Sequence, residues 1–172
     1  MIRRALQKLY FACGVLAGAC LVAIAGFVLY SIGGGLFGYI ARSADDFAGY
    51  AMLASSFLAL AHTFGRGEHI RVTLVIERLQ GTARRIAEVG CLLVGSALAG
   101  YLAWFSIKTT WVSYEIGDVS TGLVPVPLWL PQVAMALGAS VLFIAMVEQL
   151  IVTAAGGPLV HRAGADDVPM ER

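Results

Sequence analysis

The sequence predicts an all-α membrane protein of four transmembrane helices, N-in/C-in, with an interfacial amphipathic helix between spans 2 and 3. Three observations lead there. Four long apolar stretches, about 9–40, 47–64, 86–107 and 128–154, occupy most of the chain, and a helix needs about 20 apolar residues to cross a bilayer. Of the 172 residues 59% are hydrophobic and 13% charged, about half the charge of a soluble domain. Ten of the twelve Lys and Arg fall on alternate connections: Arg3, Arg4 and Lys8, then Arg66, Arg71, Arg78, Arg84 and Arg85, then Arg162 and Arg172. Positive residues of short loops stay in the cytoplasm, which places both termini inside and leaves only Arg42 and Lys108 outside.

The first span opens with basic residues and an apolar run, as a signal peptide does. Its run extends to about residue 40, well past an h-region of about 7–15 residues, so an uncleaved span is expected. Its glycine-rich tail, Gly33 to Gly38, is expected to unwind or bend. Ser43 precedes the second span with Asp46 three residues on, the spacing of a capping box; Asp45 and Asp46 suit the positive end of the helix dipole. The fourth span opens Pro127-Leu128-Trp129-Leu130-Pro131, and proline is tolerated in a first turn. Tyr39, Phe47, Tyr50, Trp111, Tyr114 and Trp129 mark the predicted outer ends of all four spans, as aromatic belts do; Trp104 and Phe105, deeper in the third span, show that the aromatics also scatter. Residues 1–155 thus form one transmembrane domain, and residues 156–172 are expected to be a cytoplasmic tail without stable structure.

The connection between spans 2 and 3 carries a further pattern. Val72, Val75, Ile76 and Leu79 recur at helical spacing over about 68–80, with Arg71, Glu77 and Arg78 off that face, as in a helix lying in the headgroup plane. Ile70, Val72, Leu74 and Ile76 also alternate as a strand would, but a lone strand has no ladder partner. Arg84 and Arg85 are spaced to pair with Glu88. Small residues, Gly14 and Gly18 in the first span and Gly90, Gly95 and Gly100 in the third, suit close helix packing.

The chemistry available is narrow. Cys13, Cys20 and Cys91 lack metal or redox spacing and read as small buried hydrophobes. His62 and His69 lie seven apart, at different heights, so they do not clasp one haem iron, and no other span supplies a histidine. No metal site, catalytic group or cofactor is expected in this chain, and its charge implies no nucleic-acid partner. Charges inside a membrane mark transport pathways. Glu148 lies about 28 Å along the fourth helix from Trp129 at 1.5 Å per residue, at the inner interface near Glu88 and the arginines, where it is expected to pair with Arg84 or Arg85. The mid-span polar groups are Ser55, Ser56 and Ser96, which can bond back to helix carbonyls. Three functions are compatible with membrane insertion: a non-catalytic subunit of a larger transporter, a stand-alone homo-oligomeric transporter, which lacks a mid-membrane carboxylate, and a haem-binding anchor, which lacks facing histidines.

The segment Arg66-Gly67-Glu68-His69-Ile70-Arg71-Val72, followed by Glu77-Arg78-Leu79, resembles the loop signature of the small membrane subunit of tripartite ATP-independent periplasmic (TRAP) transporters, the DctQ-like subunit. Pro127-Leu128-Trp129 and four spans with both ends inside are similar to that family as well. Thr73 and Glu77 stand where the family commonly has Asp. The resemblance implies a small permease subunit in a bacterial inner membrane, packed in the bilayer against a large subunit that carries the substrate and sodium sites. It also implies a periplasmic substrate-binding protein that captures an organic acid, taken up at the expense of a sodium gradient. Contacts to partner or membrane are then expected from Arg66, His69, Arg71, Val72, Val75, Ile76, Arg78, Leu79, Glu88 and Glu148.

Overall fold

The computed structural model describes residues 2–39, 43–65 and 82–155. Four helices fill nearly all of them: α1, Ile2–Phe37; α2, Ala44–Gly65; α3, Thr82–Glu115; and α4, Trp129–Ala154. Each is long and apolar enough to cross a membrane. Among the described residues the β structure is one isolated bridge, Val119 to Pro127. The interfacial helix expected at 68–80 and the tail from 156 on lie outside the described residues.

The helices stand in a row in the order α1, α2, α4, α3, each packing on its neighbour. The inner pair is short: 22 and 26 residues make about 33 and 39 Å at 1.5 Å per residue, close to a hydrocarbon core of about 30 Å. The outer pair, at 36 and 34 residues, reaches about 54 and 51 Å, so it tilts or projects past the core. Large apolar side chains stay exposed along α1, as at Phe11, Leu21, Val22 and Leu29, and along α3, as at Leu98, Tyr101 and Trp104. In water such surfaces would aggregate; against lipid they are solvated.

Glycine sets the spacing where helices cross. A Cβ on Gly138 of α4 would stand 2.6 Å from the Phe57 carbonyl of α2, so these two backbones touch. A Cβ on Gly100 of α3 would strike the Phe143 ring, and Met146 covers Gly95. Gly14 of α1 admits the ring of His62. Such close approach replaces the hydrophobic drive that lipid does not supply. A Cβ on Gly18 or Gly90 would meet nothing within 4 Å, so only part of the predicted small-residue pattern packs helices together among the described residues.

Where α1 and α3 finish and α2 and α4 begin lies an aromatic end. α1 remains helical through Phe37, correcting the expectation that Gly33–Gly38 unwinds: the membrane penalises open backbone more than the roughly 1 kcal/mol that each helical glycine costs. Gly38 alone turns left-handed (φ 75), its N–H donating to Gly34 C=O at 2.9 Å, a single-bond αL cap. Tyr39 then folds back, its hydroxyl donating to Tyr30 C=O at 3.0 Å. α3 runs eight residues beyond the predicted end at 107 and stops in a Schellman cap: Gly117 has φ 65, Asp118 N–H donates to Ser113 C=O (3.0 Å) and Gly117 N–H to Tyr114 C=O (3.3 Å). The connection to α4 closes through Ser120 N–H to Val126 C=O (2.8 Å) and Leu128 N–H to Asp118 C=O (3.0 Å).

Ser43 differs from its expected role. Its backbone is left-handed (φ 55), not the extended form of an N-cap. Its buried hydroxyl accepts Val124 N–H at 3.0 Å, tying the start of α2 to the α3–α4 loop. The loop amide of Val124 has claimed the oxygen.

Candidate functional site

The opposite, arginine-bearing end gathers the polar side chains that the sequence singles out. Tyr10 of α1 is the centre of one group. Its hydroxyl donates to Glu148 Oε2 of α4 at 2.9 Å, and its carbonyl lies 2.8 Å from His62 Nδ1 of α2. A carbonyl only accepts, so Nδ1 carries a proton. Tyr10 thereby joins three helices, the His62 ring filling the notch that Gly14 leaves open. Leu6, Cys13, Ala17, Leu58 and Phe64 pack around this group.

A second group fixes α3 to α4. Arg84 Nε meets Glu88 Oε1 at 3.3 Å, an i,i+4 pair whose carboxylate is buried. Arg85 instead reaches Thr153 C=O with Nε at 3.2 Å and Nη2 at 2.7 Å. It supplies donors to a carbonyl in the last turn of α4, and its charge complements the negative end of that helix. Thr153 is fully buried, and its hydroxyl accepts from Gln149 Nε2 at 3.3 Å.

Two sequence expectations need correcting here. Glu148 pairs with Tyr10 and not with Arg84 or Arg85. Arg85 serves the α4 terminus and not Glu88; only Arg84 makes the predicted pair. The physical reason is competition: the last turn of α4 brings the Thr153 carbonyl beside Arg85, whereas Glu148 one turn higher faces Tyr10 of α1. Among the other predicted contacts, Arg66, His69, Arg71, Val72, Val75, Ile76, Arg78 and Leu79 lie outside the described residues. Tyr10 and His62 were missed as contributors, and Arg85 was read with carboxylate partners in place of the Thr153 carbonyl. An arginine at the predicted inner start of one span, opposite the inner end of another, was the signal available for Arg85.

Between the two ends three hydroxyls turn onto their own helices, while the buried Ser106 hydroxyl has no hydrogen-bond partner among the described residues. Ser96 donates to Leu93 C=O, Thr110 to Ser106 C=O and Ser140 to Ala136 C=O, at 2.9, 2.8 and 2.7 Å. The three cysteines are free; Cys13 is buried as expected, whereas Cys91 is exposed on α3. Among the described residues no group of three or more His, Cys, Asp or Glu is placed to hold a metal ion. The carboxylates Glu88 and Glu148 are bound into packing at one end of the bundle, and the described interior offers bonds that hold helices together.

No curated protein matches this chain closely enough to count as a relative. Residues 28–156 match the family described as tripartite ATP-independent periplasmic transporters, DctQ component. That match takes in α2, α3, α4, the end of α1 and every connection between them. Four membrane-spanning helices, carboxylates spent on helix packing and a family match over most of its length lead to one conclusion: this chain belongs to the DctQ family, the small membrane component of TRAP transporters.

Proposed function

We propose that this chain is the non-catalytic small permease subunit that scaffolds the large membrane subunit of a TRAP transporter, in sodium-driven uptake of an organic acid delivered by a periplasmic binding protein. The observation that carries the reading is the family match over residues 28–156. The side chains support it. Glu88 and Glu148 are engaged by Arg84 and Tyr10, so neither is poised to couple an ion. Sodium and substrate sites belong to the large subunit in this reading, and this chain carries neither cofactor nor reaction. The membrane is the bacterial inner membrane, with the arginine end in the cytoplasm, as the positive-inside rule requires.

The segment 66–81 joins α2 to α3 at that cytoplasmic end. Its apolar stripe, Val72, Val75, Ile76 and Leu79, meets hydrocarbon or the large subunit, while Arg66, Arg71 and Arg78 reach phosphates or partner carboxylates, at about 1 kcal/mol per basic residue near an anionic surface. The test is co-purification of the large subunit from cells expressing the whole transporter. Wild type should retain it in detergent. Val75→Asp combined with Leu79→Asp should weaken that retention and lower uptake, leaving the solute affinity of the periplasmic protein unchanged. Normal assembly and uptake in the double variant would reduce the segment to a plain connection. A wild-type chain that purifies alone, as a homo-oligomer active in vesicles, would overturn the subunit reading itself.

A further inference from the structure

Between α3 and α4, near the aromatic end, the two helices part to leave a cleft of about 450 Å³. Trp111 and Tyr114 of α3 and Trp129 of α4 line its upper part; Ile107, Ala136 and Leu137 line its depth. The aromatic walls are held in place. Trp111 Nε1 donates to Glu115 Oε1 at 2.8 Å, and Tyr114 meets Trp129 edge-on with ring centroids 5.8 Å apart. The cleft also contains the hydroxyls of Thr110 and Ser140, but both donate to carbonyls of their own helices, at Ser106 and Ala136. A ligand in the depth of this cleft therefore meets hydrocarbon and satisfied hydroxyls. A polar molecule would lose its water there without replacement.

We propose that this cleft binds one acyl chain of a membrane phospholipid, whose headgroup rests at the Trp111–Tyr114–Trp129 rim and whose phosphate is drawn to Lys108. Three features select a lipid. The cleft lies within helices that span the bilayer and opens at the level of its aromatic belt, where headgroups sit. Its apolar depth suits a chain and its rim suits an amphipathic head. Lys108, exposed on α3 one turn before Trp111, is the one described cation in this half of the molecule, and a lysine at such depth extends its ammonium toward the interface.

Native mass spectrometry of the full chain, purified in mild detergent and given phosphatidylglycerol or phosphatidylcholine, tests this. Wild type is expected to hold one phospholipid and to favour the anionic one. Ala136→Phe and Ser140→Phe, which fill the cleft from α4, should each lose the bound lipid while keeping wild-type helicity by circular dichroism. Lys108→Gln should bind both lipids equally. If wild type holds no lipid, or if the correctly folded filling variant or variants hold it as wild type does, the proposal fails. A photoreactive phenylalanine at Leu137 that crosslinks, in cell membranes, to a protein and not to phospholipid would assign the cleft to a partner helix and also overturn it. A Lys108→Gln chain that still selects phosphatidylglycerol would remove the headgroup assignment.

Discussion

Gly138 of α4 rests directly on the carbonyl of Phe57 in α2, with room for a hydrogen and no more. These two helices are alternate spans and run parallel, so no short loop joins them, and their contact depends on side-chain volume at this crossing. Gly138→Ala should destabilise the folded chain in detergent by about 1–3 kcal/mol, the usual cost of overpacking. Gly138→Leu should separate α2 from α4. Loss of helicity or of monodispersity against denaturing detergent measures both; an alanine variant as stable as wild type would show the crossing to be loose.

Tyr10 and Glu148 should behave as a pair. Tyr10→Phe leaves a partly buried carboxylate without its donor, at a cost of about 1–3 kcal/mol. Glu148→Gln keeps an acceptor for the tyrosine and should cost less. In a double-mutant cycle of Tyr10→Phe with Glu148→Ala, the two effects should fall short of additivity by about 0.5–3 kcal/mol. Sodium-dependent uptake by the assembled transporter should survive Glu148→Gln. Loss of uptake with assembly intact would turn Glu148 from a packing residue into a coupling one.

Arg85 makes two bonds to one carbonyl at the end of α4. Arg85→Ala should cost about 1.5–3 kcal/mol, the range for bonds to charged groups, and should speed hydrogen exchange in the last turn of α4. Arg85→Lys retains the charge and one donor direction and should recover part of the loss. Equal exchange in all three proteins would show that water caps this carbonyl as well as the guanidinium does.

The spans were legible because crossing a bilayer demands an unbroken apolar run, and few sequences counterfeit one. The end of α3 was not. Lys108, Thr109 and Thr110 interrupt its apolar count, yet the backbone goes on bonding to itself until Gly117 permits a left-handed turn. The cap at Ser43 was misread because its competitor, the amide of Val124, lies 81 residues away. Glu88 with Arg84 could be read from i,i+4 spacing, whereas Glu148 with Tyr10 could not, since depth in the membrane narrows the candidates without choosing among helices. The helix order was equally hidden: Gly138 is one glycine among 20, and nothing local marks it as the one that touches a backbone.

The orientation can be checked with two cysteines in a background free of Cys13, Cys20 and Cys91. Thr121, exposed in the α3–α4 loop, and Ala163, in the C-terminal tail, are the positions. An impermeant thiol reagent added to intact spheroplasts should label Thr121→Cys and spare Ala163→Cys until the cells are opened. Labelling in the opposite order would invert the topology.

The bond from Tyr10 to Glu148 spans 138 residues of sequence. At about 5–20 residues per second of synthesis, α1 waits roughly 7–28 s for that partner to be made. In that interval it gains His62 from α2 but must otherwise persist in lipid with most of its circumference bare. It is also the most hydropathic of the four spans, at a mean of 2.5 against 1.3 to 2.0 for the others, and the least covered by its own chain in the finished fold. A helix that inserts first and is fastened last is stable only if lipid alone satisfies it, which sets the composition of α1 by the order of translation as much as by its final neighbours.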